Sequence, residues 1–195
     1  MRPPEGADVA RRWLIDGVHP RWHTRPLAFH VGHYAVSDVE VLDRNPREAL
    51  KPTPGRPPDA EHYAFTIRGD GHTLRGDCQE HVLERVALGL GKTRVTLRCS
   101  CNEGDKSAVE LKTEAKGGAI RFVDGTELPL APAHGAGEGR SSKHLLGFVA
   151  EDPNGSGGVD LAGSNVAWVP ASIAPHQRLG VACAYAALLL HHPWH

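Results

Sequence analysis

The chain has 195 residues, of which 40% are hydrophobic and 23% charged, and its formal net charge is −1. This length fits one globular domain, or one domain with a short arm. The near-neutral charge argues against electrostatic binding of nucleic acid, which usually leaves a basic excess. The first 30 residues lack a basic segment followed by an apolar one, so no secretory signal is predicted.

Residues 1–26 are rich in proline and arginine and are predicted to form an N-terminal arm. Asp8 is placed to cap a short helix that runs through Ile15 and ends at Asp16-Gly17. A basic arm could contact an anionic membrane surface, although a solvated arm explains the same residues. The densest basic patch of the chain lies in this arm and contains Arg11, Arg12, Arg21 and Arg25.

Short alternating segments predict ten or eleven β-strands between residues 27 and 169. The proline-rich segment 51–59 fits neither a helix nor a central strand, and it is predicted to be an extended connector. Glycine-containing turns at 69–71 and at 124–125 predict two hairpins. The clearest strand alternates polar residues with an apolar series that is predicted to face the core: Val95, Leu97, Cys99 and Cys101.

The segment 179–190 is a run of 12 apolar residues and predicts a helix at about 174–192. Pro175 suits a first helical position, and Pro193 ends the helix. A helix that is apolar on every side must be enclosed, and this one is shorter than the roughly 20 residues needed to cross a bilayer. We therefore expect the helix to be surrounded by protein.

These elements predict a mainly β protein: one domain at 27–195, an antiparallel, closed or nearly closed barrel with a buried hydrophobic C-terminal helix. This order of elements, across about Leu27 to His192, resembles the tubby-like superfamily, including LURP-one-related and scramblase-type domains. The resemblance is one of layout. It implies a strand barrel around a central C-terminal helix. For function it implies binding of membrane phosphoinositides or a poorly defined role.

One candidate metal site combines four residues of the β region: Cys78, His81, Cys99 and Cys101. Three thiolates and an imidazole are an acceptable zinc ligand set, and antiparallel pairing could bring Cys78 near Cys99. However, a single residue separates Cys99 from Cys101, which is not knuckle spacing. Both also continue the apolar face of their strand, so we favour buried, free cysteines in a reducing cytoplasm.

A second candidate metal site is the segment Asp152–Asp160, which matches part of a calcium loop. Its twelfth position is Gly163, where a bidentate glutamate is needed, and the flanking segments are predicted strands. A turn between strands explains the segment as well. Whether this segment or the cysteine group binds a metal ion stays open at this point.

Two further patterns are the histidine clusters and a repeated tripeptide. Arg-Gly-Asp occurs at 68–70 and again at 75–77, and we interpret both copies as turn-forming segments rather than adhesion motifs, without a reason for the duplication. Prolines interrupt helical pairing in both histidine groups, so neither has a defined metal geometry. These groups are His19, His23, His30 and His33, and His191, His192 and His195.

No catalytic residue, cofactor site or dinucleotide fingerprint is predicted. Abundant alanine, glycine, proline and arginine indicate a GC-rich bacterial source. The leading hypothesis is a non-enzymatic binding or accessory module of a bacterial cytoplasmic system, with an unknown protein partner contacting the loops 131–142 and 152–158. One alternative is a tubby-like domain that associates with an anionic membrane surface. The other is a small protein or enzyme that binds zinc or calcium.

Overall fold

The computed structural model describes residues 4, 11–18, 26–43, 62–87, 90–114, 116–135, 144–162 and 165–191. Within these residues, twelve strands form one closed antiparallel barrel, in which each strand pairs with its neighbours in the chain. The first strand closes the barrel, because it pairs with the second strand on one edge and with the last strand on the other. The strands are β1 (Arg12–Asp16), β2 (Phe29–Val31), β3 (Tyr34–Asp43), β4 (His62–Gly69), β5 (His72–Ala87), β6 (Leu90–Glu103), β7 (Lys106–Glu114), β8 (Gly117–Phe122), β9 (Glu127–Gly135), β10 (His144–Ala150), β11 (Gly157–Asp160) and β12 (Val166–Trp168).

The predicted helix inside the barrel is confirmed. A short 3-10 helix at Pro175–Gln177 leads into α1, which spans Arg178–Leu190. Nearly every side chain of α1 is buried, and the helix contacts strands β2 to β8. Since α1 carries alanine at four positions and glycine at a fifth, it is slim enough for the space that a closed sheet leaves in its interior.

The prediction of a helix that reaches Ile15 is wrong. Arg12–Asp16 is strand β1, and it pairs with Val166 to Trp168 on one side and with His30 and Val31 on the other. The side chain of Ile15 enters the core, whereas Leu14 points outward. Pairing on both edges outweighs the local helix signal. It satisfies the backbone N–H and C=O groups of β1, and it leaves the barrel without an open edge.

Most predicted strands are confirmed, and several are longer than the sequence suggested. The hairpin of β5 and β6 pairs from Arg75–Asn102 up to Ala87–Leu90. The predicted loop 131–142 is wrong in its first part, because 131–135 continue β9 and pair with β10. The connector 51–59 and the remainder of that loop lie outside the described residues.

Among the described residues, no helix is long and apolar enough to span a membrane.

Candidate functional site

A groove of about 640 Å³ lies on the outer face of strands β6 to β9. We call it the β6–β9 groove. Its volume is within the range of about 300–1,000 Å³ that is typical of small-molecule sites. The charged side chains that line it are Arg98, Glu110, Lys112, Glu114, Arg121 and Glu127, and Ala119 lies on its floor.

The alternation of the strands positions these side chains. In β6 and β7, the side chains of Cys99 and Leu111 point inward and are buried, so their neighbours in sequence point outward. Gly118 lets β8 approach β7 closely, because a Cβ at this position would collide with the carbonyl oxygen of Lys112. With no side chain at Gly118 and only a methyl group at Ala119, the floor of the groove is low.

The charges in the groove are arranged in two rows across the sheet. Arg98 lies directly opposite Lys112 on the neighbouring strand, and in the next row Glu110 lies opposite Arg121. Arg121 Nε donates a hydrogen bond of 2.6 Å to Glu127 Oε2. Of the three cations in the groove, only Arg121 has an ion-pair partner among the described side chains. Two like charges directly opposite each other are unfavourable in a sheet, so an additional anion would stabilise the row of Arg98 and Lys112.

The interpretation of the cysteines as free thiols is wrong. Cys78 is disulfide-bonded to Cys99, and Cys101 to Cys183 of α1. Their predicted burial in the core is confirmed. The register places Cys78 directly opposite Cys99, as antiparallel pairing suggested, but no sequence pattern indicated that Cys183 meets Cys101. Three of the four proposed zinc ligands are therefore disulfide sulfurs, and the side chain of His81 lies outside the described residues.

The first part of the Asp152–Asp160 segment connects β10 to β11, and its last four residues, Gly157–Asp160, are strand β11. Asp152 Oδ1 accepts a hydrogen bond from the Asn154 backbone, and Oδ2 accepts one from the Ser172 backbone at 2.6 Å. Asp160 Oδ1 accepts one from the backbone of Ala162. The two carboxylates thus hold backbone N–H groups, and no cluster of three or more metal-ligating side chains occurs among the described residues.

The interpretation of both Arg-Gly-Asp copies as turn-forming segments is wrong for the second copy, because 75–77 lie within strand β5; of the first copy, only Asp70 lies in the β4–β5 turn. The two copies nevertheless occupy matching environments in this hairpin. In each copy the glycine lies under an aromatic ring: a Cβ at Gly69 would collide with Tyr34, and one at Gly76 with Phe65. Each arginine pairs with a carboxylate of β3, and each aspartate with a histidine. These ion pairs are Arg68–Asp38, Arg75–Glu40, Asp70–His33 and Asp77–His62. The duplication thus has a structural account, since two rows of one hairpin repeat the same packing and the same charge pairing.

Asp70, the aspartate of the first Arg-Gly-Asp copy, is hydrogen-bonded to two neighbouring side chains. Tyr34 Oη donates a hydrogen bond of 2.8 Å to Asp70, and His33 lies 3.1 Å from its other oxygen. These contacts, with that of Tyr34 the largest, keep the pKa of Asp70 below its ordinary value.

The histidine clusters are not brought together as metal sites by the described residues. His33 binds Asp70, His30 is exposed on β2, and His191 is buried at the end of α1. His191 Nδ1 lies 2.6 Å from Glu80 Oε1, a contact that sequence reasoning missed because the two residues are 111 positions apart in the chain. His19, His23, His192 and His195 lie outside the described residues.

The basic arm is only partly described. Arg11 donates two hydrogen bonds, of 3.0 and 2.6 Å, to the carbonyl oxygens of Pro170 and Ala171. Arg12 is exposed on β1, and Arg21 and Arg25 lie outside the described residues. Arg11 therefore ties the start of β1 to the loop that precedes α1.

The fold defines the protein as a closed twelve-stranded antiparallel barrel around a C-terminal helix, within the residues that the structure describes. No protein-family model, no curated protein and no solved structure matches the chain.

Proposed function

We propose that the protein is a non-enzymatic binding module and that the β6–β9 groove is its binding surface. One observation carries this proposal: Arg98 and Lys112 face each other in a concave surface without an ion-pair partner among the described residues. A guanidinium and an ammonium in this position are suited to an acidic group of a ligand. The loops predicted from the sequence are the weaker candidates, because part of each is strand: 131–135 belong to β9 and 157–158 to β11.

The groove also has the rigidity that a binding site requires. Its walls are hydrogen-bonded strands, and the inward side chains beneath them belong to the buried core around α1. A site built on strands holds its side chains more closely in place than one built on loops. Little ordering of the backbone is then required when a ligand binds, which favours affinity.

Ligand-observed NMR with a chemically diverse fragment library tests this proposal. We expect the hits to perturb backbone amide signals of β6 to β9, and to be lost when Ala119→Phe fills the floor of the groove. The matched control is Ala35→Phe, which adds the same ring to a partly exposed position on β3. Hits that cluster elsewhere, or that survive Ala119→Phe, would contradict the groove as the binding surface.

A second candidate function is association with an anionic membrane surface, supported by the barrel-and-helix layout that the tubby-like resemblance implies. Liposome co-sedimentation tests it: binding should rise with the fraction of anionic lipid and fall with salt. Binding that ignores both variables would exclude this function. The bacterial source likewise remains a prediction from composition.

The oxidation state of the cysteines bears on the cellular compartment of the protein. The sequence predicts the cytoplasm, but the two buried disulfides support an oxidising compartment, because disulfides are rare in cytosolic proteins. Alkylation of the protein in intact cells, followed by mass spectrometry, separates the two. Four alkylated cysteines would favour the cytoplasm, and four protected ones an oxidising compartment.

A further inference from the structure

We infer that the ligand of the β6–β9 groove is a small zwitterion, with its anionic group on Arg98 and Lys112 and its cationic group on Glu110. This inference rests on the proposed function and adds the chemical class of the ligand. A zwitterion is here a molecule with a phosphate or carboxylate at one end and an amine a few bonds away.

The anionic end is set by the row of Arg98 and Lys112. Side chains directly opposite in an antiparallel pair have Cβ atoms about 4.5–5.5 Å apart, so one oxyanion can contact both cations. Arginine offers a planar pair of N–H donors, and lysine adds a mobile point charge. A single phosphate or carboxylate between them would remove the like-charge repulsion of this row.

The cationic end is set by Glu110 in the neighbouring row. The cation opposite it, Arg121, already binds Glu127 at 2.6 Å, so the charge of Glu110 is not matched by an ion pair of its own among the described residues. Glu110 and Lys112 lie two positions apart on β7 and on the same face, about 7 Å along the strand. This separation suits two opposite charges joined by a short linker.

The charge balance of the groove separates a zwitterion from a polyanion. Arg98, Lys112 and Arg121 are matched in number by Glu110, Glu114 and Glu127, so the groove carries no net charge. A polyanion would place further negative charges near these carboxylates, within the screening length of about 8 Å at physiological salt. A ligand with one anionic and one cationic group meets complementary charge at both ends.

Isothermal titration of the full-length protein with three probes tests this inference: O-phosphoethanolamine, inorganic phosphate and ethanolamine. We expect O-phosphoethanolamine to bind at least tenfold more tightly than either single-charge probe, with amide shifts in β6 and β7. Lys112→Gln should weaken O-phosphoethanolamine and phosphate alike. Glu110→Gln should weaken O-phosphoethanolamine about tenfold and leave phosphate unchanged or tighter. The matched control is Asp105→Asn, which neutralises an exposed carboxylate in the β6–β7 turn, outside the groove.

Equal affinity for phosphate and O-phosphoethanolamine would overturn the zwitterion, as would an unchanged preference in Glu110→Gln or the absence of binding by all three probes. Fragment hits in the groove would then still support the binding module, so the two proposals fail separately. Vesicles of phosphatidylethanolamine and phosphatidylcholine distinguish the source of the ligand. Binding to these vesicles that Lys112→Gln abolishes indicates a lipid headgroup, whereas binding of the free probe alone indicates a soluble zwitterion.

Discussion

His191, directly after the last residue of α1, contacts Glu80 of β5 inside the barrel, with 2.6 Å between Nδ1 and Oε1. Both side chains are buried, at 2% and 3% exposure. This contact fixes the end of the central helix to the wall. An acid and an imidazole at this depth are tolerated because they are hydrogen-bonded to each other.

Removing one partner of this pair should destabilise the barrel strongly. Glu80→Ala leaves a buried imidazole nitrogen without its partner beside a cavity, and we expect it to lower the free energy of unfolding by about 2–4 kcal/mol. Replacing both residues, in Glu80→Leu with His191→Leu, should recover much of that loss, because no buried polar group is left unsatisfied. Urea unfolding measures both. A loss below about 0.5 kcal/mol for Glu80→Ala would contradict the buried contact.

The hydrogen bonds to Asp152 predict that the protein becomes less stable at acid pH. Burial tends to raise the pKa of its carboxyl, but hydrogen bonds from Ser172 and Asn154 outweigh this and hold the pKa below its ordinary value of 3.8. A depressed pKa in the folded state stabilises the protein above pH 3.8, and this contribution disappears as the pH falls through the folded-state pKa. We expect Asp152→Asn to cost about 2 kcal/mol at pH 7. The difference in the free energy of unfolding between Asp152→Asn and the wild type should become smaller as the pH falls below 3.8. Urea unfolding at pH 7 and at a series of pH values down to below 3.8 measures this difference. A difference independent of pH would show that the ionised form has no special role.

The sequence was sufficient for the parts of the fold that depend on local pattern. The alternation ending at Cys101, the turn at 124–125 and the apolar run 179–190 each predict an element that the structure contains. The strand β1 was missed because it is held by pairing on both edges, and one of these edges pairs with residues more than 150 positions away, such as Trp168. Local propensity does not report pairing at that distance.

The candidate site was likewise predictable from local pattern only in part. Alternation alone puts Arg98 on the polar face of β6 and Lys112 on that of β7. Their direct opposition depends on the register, which shifts at Cys101 and Asn102 and is not encoded in either strand alone. The pairing of Cys101 with Cys183 likewise depends on how α1 is oriented inside the barrel. Sequence reasoning therefore reached the right faces but not the contacts across them.

The two disulfides should contribute unequally to stability. Cys101–Cys183 closes a loop with a sequence separation of 82 residues, and Cys78–Cys99 one of 21. In the chain-entropy description, replacing the first pair by alanine should cost about 4.5 kcal/mol and replacing the second about 3.3 kcal/mol. Urea unfolding of the two double variants measures the difference, with peptide mapping of the wild type to verify the pairing. Equal costs would show that effects other than loop closure dominate.

The glycines of the Arg-Gly-Asp copies should resist substitution even by alanine. A methyl group at Gly76 would overlap the buried ring of Phe65, so we expect Gly76→Ala to lower the free energy of unfolding by about 1–3 kcal/mol. Combining Gly76→Ala with Phe65→Leu should be less costly than the sum of the two single changes, because leucine leaves room for the methyl group. Additive costs in urea unfolding would contradict ring packing as the reason for this glycine.

Thr113 offers a substitution that should stabilise the protein. Its side chain is fully buried on β7, and its hydroxyl has no hydrogen-bond partner among the described residues. A buried hydroxyl without a partner carries a desolvation penalty of about 1–3 kcal/mol. Thr113→Val has nearly the same shape and removes that penalty, so the free energy of unfolding should rise by about 1 kcal/mol. The matched control is Thr73→Val on the exposed face of β5, which should change stability by less than about 0.5 kcal/mol. A loss of stability in Thr113→Val would mean that its hydroxyl has a partner after all, an ordered water being the simplest.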